Sequence, residues 1–241
     1  MGLLTKIGSD FPKQWFEVLK KCIDTTGIYV WDGKTTNIRI EYLDDGSIHN
    51  INASLNVSND FGGISFPSNY QKVAFKHICP LPIHNQLELV KACSKYSTVS
   101  VDFNQVYEHD YKENPHIINE ILENADIIFP NEFEARSIAC ADSIEECAKI
   151  LYDRGPSFVI ITLGAKGAMI YDGNKLRLYS PQKVPNIIDP TGCGDAFIGG
   201  FLSTYIKTDD VDLSMKIANT MAAKKIMKKG AWMIDHMLCE G

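Results

Sequence analysis

Short apolar runs alternate with segments of helical spacing along the chain from about residue 73 onward. Such alternation is typical of βαβ units around a parallel sheet, in which each buried strand is followed by an amphipathic crossover helix. We predict strands over residues 73–79, 98–103, 126–129 and 158–162. We predict helices over residues 87–93, 117–122, 132–139, 143–152, 194–205 and 213–228. The pattern therefore indicates an α/β fold with a mainly parallel sheet.

One end of this sheet has a different pattern. The segment 158–162 is a continuous apolar run, which predicts a central strand that is buried on both faces. A glycine turn at 164–167 leads into a strand at 168–171, and Asp172-Gly173-Asn174 predicts a hairpin turn into a strand at 176–179. We therefore expect the sheet to end in antiparallel pairs.

Residues 27–57 follow strand alternation, with turn signals at 32–33 and 44–46. The alternating apolar positions are Ile28, Val30, Ile38, Ile40, Tyr42, Ile48 and Ile51. This predicts a β-meander without helices, and an antiparallel sheet with one apolar face must cover something. We expect residues 27–57 to form a lid or a dimerising sheet, inserted into an α/β domain of residues 1–26 and 58–241.

The composition, with 45% apolar and 22% charged residues, is that of an ordinary globular protein. A net charge of −6 gives no attraction to nucleic acid or to an anionic membrane, so we expect neither as a partner. The seven cysteines form no C-x-x-C pair, and the N-terminal residues lack a secretory signal, which favours a cytoplasmic location. No zinc-protease, Walker or dinucleotide-binding motif is present, which disfavours those enzyme classes.

Four lysines lie at helical spacing near the end of the chain: Lys224, Lys225, Lys228 and Lys229. Apolar residues lie between them, so we predict that all four form the solvated face of an amphipathic helix.

The strongest chemical signal is the segment 189–197, D-P-T-G-C-G-D-A-F. Gly192 and Gly194 flank Cys193 directly before a predicted helix, so the backbone can turn tightly and direct its amides at an anion. Asp195 at the helix start can accept a proton from a hydroxyl, while the amides stabilise charge on a transferred phosphoryl group. The alternative is that Thr191 or Asp195 only caps the helix.

This segment resembles the second signature, D-T-x-G-A-G-D-x-F, of the ribokinase or PfkB family of carbohydrate and nucleoside kinases, with Pro190 and Cys193 as departures. The resemblance implies a ribokinase-like three-layer α/β/α fold with a small β lid. It also implies transfer of the ATP γ-phosphate to a hydroxyl, with Asp195 as catalytic base. The amides of Gly192, Cys193 and Gly194 would then form the anion hole.

Two further segments resemble motifs of the family in the same order. Asn131 and Glu134 match its N-x-x-E, which implies a role in steering Mg²⁺ and phosphate; the alternative is an ordinary helix start with acidic residues. Thr162, Gly164 and Gly167 match its T-L-G-x-x-G nucleotide loop, for which the alternative is a glycine hairpin after a core strand.

Weaker matches lie elsewhere in the chain. Asn219 falls in the helix that borders the adenine site in the family, ahead of a glycine and alanine at 230–231. Asp102 and Asn104 resemble the D-x-N strand end of the family and either border the substrate or only end a strand. Residues 7–10 resemble its I/V-G-x-D, and threonines at 35–36 lie where lid threonines occur.

The resemblance implies ATP and Mg²⁺ as cofactors, with a monovalent cation and a homodimer through the lid as further candidates. The substrate is expected to be a small sugar or sugar-like molecule, with a nucleoside as the alternative. Relative to the family, the chain begins at a later strand, so its first strand and glycine-pair substrate motif are expected to be missing. A non-catalytic homologue and a misassigned start are therefore alternatives to an active enzyme.

Overall fold

The computed structural model describes residues 1–43, 48–104 and 107–230. In chain order the strands are β1 (Thr5–Gly8), β2 (Ile28–Trp31), β3 (Asn37–Tyr42), β4 (Ile48–Ser54), β5 (Phe75–Ile78), β6 (Thr98–Asp102), β7 (Ile127–Phe129), β8 (Phe158–Thr162), β9 (Ala168–Tyr171) and β10 (Leu176–Tyr179). The helices are α1 (Lys13–Cys22), α2 (Ser68–Gln71), α3 (Ile83–Ser94), α4 (Glu108–Glu113), α5 (Pro115–Glu123), α6 (Glu132–Ala139), α7 (Ile144–Tyr152), α8 (Cys193–Thr208) and α9 (Val211–Ile226).

The main sheet has six strands in the order β10-β9-β8-β7-β6-β5. Strands β5 to β8 are parallel, and β9 and β10 complete the sheet as antiparallel neighbours. The predicted α/β fold, its parallel strands and its antiparallel end are thus confirmed. Helices α1, α2 and α4 have no counterpart among the predicted helices.

Helices cover both faces of this sheet. Along β8, Val159 and Ile161 are buried in a cluster with α3, α5 and α7, whereas Ile160 is buried in a second cluster with α8 and α9. Alternate side chains of one strand therefore enter two cores, which is why its sequence is continuously apolar. The aromatic contact between Phe129 of β7 and Phe201 of α8, with ring centroids 5.5 Å apart, fixes one of these helices on the sheet.

The N-terminal region differs from the predicted meander. Strand β2 pairs in parallel with β1, through a crossover that contains α1, and only β3 and β4 form an antiparallel pair. The prediction that residues 27–57 form one meander is therefore wrong for β2, which hydrogen-bonds to a strand that precedes it by some twenty residues, whereas β3 and β4 pair as a meander requires. The predicted turn at 44–46 lies outside the described residues, and the division into a domain and a lid stays a prediction.

None of the described helices combines the length and apolar character that crossing a bilayer requires.

Candidate active site at the carboxyl edge of the sheet

The carboxyl ends of three parallel strands bring predicted site residues to one edge of the sheet. Asp102 ends β6, Asn131 follows β7, and Thr162 ends β8. The Thr162 amide donates to the Pro130 carbonyl at 3.0 Å, so the starts of the two following loops are adjacent. Ligands of open α/β sheets bind outside this edge, which makes it the expected location of the site.

The glycine-rich turn before α8 leaves backbone amides exposed. Gly192 adopts φ +81° as the N-cap of α8, a conformation that glycine adopts without strain. The Cys193 amide donates to the Pro190 carbonyl at 3.1 Å, and its role in the anion hole stays a prediction. Among the residues that the structure describes, the amides of Gly192 and Gly194 have no backbone acceptor. These two amides, at the positive end of α8, can receive an anion.

Asp195 lies in the first turn of α8 with its side chain open to solvent, and partial desolvation by the atoms around it raises the pKa of its carboxyl. Burial also raises the pKa of Asp102 well above its usual value, and the charges of Glu134 and Asp195 raise it further. The three carboxyls therefore share one electrostatic environment. A raised pKa makes Asp195 a stronger proton acceptor when it is ionised.

Asn131 and Glu134 bind each other at the start of α6. The Glu134 amide donates to the Asn131 side chain at 2.9 Å, and the Asn131 amide donates to the Glu134 carboxylate at 2.8 Å. This capping box supports the alternative interpretation of the two residues, in which they start the helix. Glu134 is only 4% exposed, however, and its charge acts on Asp102, so the pair also borders the site.

The carboxylate oxygens at this edge suit Mg²⁺, which prefers oxygen ligands and takes most of them from water and substrate phosphates. Within the described ranges, no three His, Cys, Asp or Glu side chains are grouped closely enough to enclose a metal. This arrangement fits a Mg²⁺ that is bound mainly by a nucleotide, with Asp102 and Glu134 as the nearby carboxylates.

Two of the predicted nucleotide residues, Gly167 and Asn219, contact the segment 179–181. Gly164 and Gly167 have φ +56° and +95°, and a Cβ on Gly167 would come within 2.1 Å of the Tyr179 carbonyl. The Asn219 side chain donates to the Ser180 carbonyl at 3.2 Å. The glycine loop after β8 and the helix α9 thus each contact the same segment.

Asn104 lies two residues beyond the end of β6. Its amide donates to the Tyr111 hydroxyl at 3.0 Å, and that hydroxyl donates to the Asn104 carbonyl at 3.1 Å. Asp102 thus belongs to the site through its electrostatic interaction with Glu134 and Asp195. The main-chain hydrogen bonds of Asn104 are also those of a residue that ends a strand.

Sequence reasoning missed three residues at this site. The Thr191 hydroxyl donates to that of Tyr42 at 3.1 Å, across 149 positions. Desolvation by the surrounding atoms, with the charges of Asp102 and Asp195, raises the pKa of the Cys79 thiol to about 12. Lys225, predicted to be solvated, is completely buried and donates to the Asp189 carbonyl. Neither periodicity nor motif spacing carries information about contacts of such separation.

Residues 1–234 match the model of the pfkB family of carbohydrate kinases. The chain belongs to this family. A cytidine kinase from Thermococcus kodakarensis is 37% identical over 235 residues, which are 97% of this chain and 84% of that protein. The family and this relative identify the chain as a kinase of sugars or nucleosides, a phosphotransferase with an alcohol group as acceptor.

Solved structures confirm the predicted ribokinase-like fold. The nucleoside kinase of Methanocaldococcus jannaschii, an archaeal member of the ribokinase family, has a TM-score of 0.80 at 24% identity, over 95% of this chain and 75% of that one. A fructokinase from Vibrio cholerae, solved with fructose, ADP and a potassium ion, has a TM-score of 0.76 at 22% identity, over 95% and 80%. An E. coli protein described as ribokinase II, solved with ATP and Mg²⁺, has a TM-score of 0.77 at 22% identity, over 95% and 78%.

Proposed function

We propose that this kinase transfers the γ-phosphate of ATP to a hydroxyl of a nucleoside, with cytidine as the first substrate to test. The observation that supports this chemistry is the placement of Asp195 in the first turn of α8, directly after the open amides of Gly192 and Gly194. The similarity to a cytidine kinase over nearly the whole chain favours the nucleoside over the sugar that the sequence alone put first.

In this proposal Asp195 accepts the proton of the attacking hydroxyl. The hydroxyl oxygen then bonds to the γ-phosphorus, and the bond from phosphorus to the β,γ-bridging oxygen breaks to release ADP. The amides of Gly192 and Gly194, aided by the positive end of α8, stabilise the charge on the transferred group. The raised pKa of Asp195 suits this role, because a base is most effective when its pKa lies near the working pH.

ATP binds, in this proposal, along the loop 162–167 and the segment 179–181, beside Asn219. Mg²⁺ would be held near Asp102 and Glu134, where it neutralises phosphate charge. Asn131 supports this side by fixing the Glu134 carboxylate.

Asp195→Asn tests the catalytic assignment. We expect kcat to fall by about 100-fold or more, the usual contribution of a general base, while ATP binding measured by calorimetry stays within a few-fold. Asp209→Asn is the matched control, since it removes the same charge at the far end of α8, where Asp209 is exposed and asparagine tolerates its φ of +54°. Unchanged turnover in Asp195→Asn would exclude Asp195 as the base.

A substrate panel of cytidine, uridine, adenosine, inosine, ribose and fructose tests the acceptor, with ADP release as the readout. We expect the highest kcat/KM with a nucleoside. Preference for ribose or fructose would support the sugar alternative. ATP binding without turnover of any acceptor would instead indicate a non-catalytic homologue.

A further inference from the structure

Lys225 is a buried cation beside the anion hole. Its side chain is 0% exposed, and its ammonium donates to two main-chain carbonyls, of Asp189 at 3.3 Å and of Lys228 at 3.2 Å. Within the described ranges it forms no ion pair with a carboxylate. Burying an ammonium is costly unless its surroundings compensate for the loss of water, and in the part of the chain that the structure describes this compensation comes from main-chain carbonyls.

The two carbonyls belong to segments that hold the hole in place. The Asp189 carboxylate accepts from the amides of Thr191, at 2.9 Å, and Gly230, at 2.8 Å. The amides of Ile188 and Asp189 both donate to the Ile226 carbonyl. The ammonium therefore lies where the loop that leads into α8 meets the turn that follows α9.

The charge of Lys225 acts on both sides of this junction. Burial alone would raise the pKa of Asp189, but hydrogen bonds from Thr191 and Gly230, with the charge of Lys225, hold it below its usual value. The same charge opposes the rise that burial causes in the pKa of the Cys193 thiol. Lys225 thus contributes positive potential at the start of α8, where phosphate charge is expected.

We propose that Lys225 is a built-in cation of the anion hole. Its ammonium occupies the site formed by the Asp189 and Lys228 carbonyls, here called the carbonyl cradle, which a free monovalent cation would otherwise fill. Main-chain carbonyls are the oxygen donors that K⁺ accepts in proteins, and here the ammonium already binds them. The monovalent cation that the family resemblance makes a candidate therefore does not fit at this position, and this kinase works without added K⁺. Lys225 is a positioning residue, and its role in turnover rests on the proposed function.

Lys225→Ala tests this assignment in the full chain, assayed in tetramethylammonium chloride with and without KCl or NH₄Cl at constant ionic strength. We expect the wild-type rate to be the same in all three salts. The variant should lose about tenfold or more in kcat, on the scale of a lost oxyanion donor, with a smaller change in the KM for ATP. Added K⁺ or NH₄⁺ should restore much of this loss, because either ion can enter the vacated cradle.

Thermal unfolding gives a second readout that needs no turnover. K⁺ should raise the Tm of Lys225→Ala relative to tetramethylammonium, and leave the Tm of the wild type unchanged. Lys224→Ala is the matched control, because it removes the same charge from the adjacent, exposed position of α9. It should respond to salts as the wild type does.

A wild-type enzyme that needs K⁺ for activity would overturn the proposal, as would a Lys225→Ala variant that is fully active without K⁺. If the alanine variant does not fold, Lys225→Met fills the same space without charge. We then expect a folded protein with low kcat that K⁺ does not restore; wild-type activity in it would overturn the proposal. If the wild type phosphorylates no acceptor, the proposed function fails, whereas the Tm comparison still decides the role of Lys225.

Discussion

The hydroxyls of Tyr42 and Thr191 lie 3.1 Å apart, with Thr191 donating and Tyr42 accepting. Tyr42 is the last residue of β3, in the small antiparallel sheet, whereas Thr191 belongs to the turn before α8. This hydrogen bond joins the antiparallel pair β3–β4 to the turn that carries the anion hole. In the proposed function, this contact helps to hold the strand pair over the reacting groups.

Tyr42→Phe removes this contact and little else. A hydrogen bond contributes about 0.5–1.5 kcal/mol, so we expect kcat/KM to fall by about two- to tenfold, with hydrogen exchange of the β3 amides accelerated. Tyr29→Phe is the control, because the Tyr29 hydroxyl donates to the Ser65 carbonyl, away from the hole. Equal effects of the two substitutions would contradict a specific role for Tyr42.

Glu134→Gln separates the two roles assigned to the start of α6. Glutamine also completes a capping box, so the free energy of unfolding should change by less than about 1 kcal/mol. If the carboxylate acts on Mg²⁺, the Mg²⁺ concentration for half-maximal rate should rise several-fold. Glu132→Gln in the same turn is the control, since its carboxylate pairs with Arg136 and Lys166 instead. An unchanged Mg²⁺ dependence in Glu134→Gln would leave the residue with its capping role alone.

The elements that the sequence predicts well are those whose signals are local. Helix α6 has the predicted bounds, because Asn131 and Glu134 form its capping box within four residues. Strand β8 is also as predicted, because its burial on both faces requires a continuous apolar run. For the glycine turn, the motif shows where the amides lie. The hydrogen bond from the Cys193 amide to the Pro190 carbonyl, however, depends on the dihedral angles of the turn, which the motif does not give.

The features that the sequence does not predict depend on long-range contacts. The alternation in β2 indicates a strand but does not identify its neighbour, so the parallel pairing with β1 is not predictable from that pattern. For Lys225, helical spacing places the residue among other lysines, but the Asp189 carbonyl that receives its ammonium is 36 positions away. Burial of a charged group is decided by such a partner and not by periodicity.

Gly194→Ala separates the anion hole from the helix that carries it. The structure has nothing within 4 Å of a Cβ at Gly194, and its φ is not in the left-handed region. Alanine should therefore stabilise α8 by about 0.5–1 kcal/mol, while its methyl group obstructs the approach of a phosphate, so that kcat falls. Gly199→Ala is the matched control, in the same helix with the same open space. It should gain similar stability and keep full activity; loss of activity in both variants would point to helix stiffening instead.

We expect the stability of the protein to depend on pH through His77, without involvement of the active site. His77 lies on β5, with its ring nitrogen Nδ1 2.9 Å from the Ser100 hydroxyl and its ring against Phe129. Burial lowers the pKa of His77 from 6.5 to about 4. Between these values the unfolded chain binds a proton that the folded chain does not, so the free energy of unfolding decreases as the pH falls from 6.5 towards 4. The decrease is about 1.4 kcal/mol per pH unit at most.

Denaturant unfolding at several pH values measures this slope. His77→Asn keeps a polar partner for Ser100 but does not titrate, so we expect it to be less stable at pH 7 and to have a shallower slope between pH 6.5 and 4. His84→Asn, at an exposed position of α3, should retain the wild-type slope. Because the carboxyls titrate alike in all three proteins, the difference between slopes isolates His77. Identical slopes for His77→Asn and the wild type would show that the imidazole is protonated in the folded state as readily as in the unfolded chain.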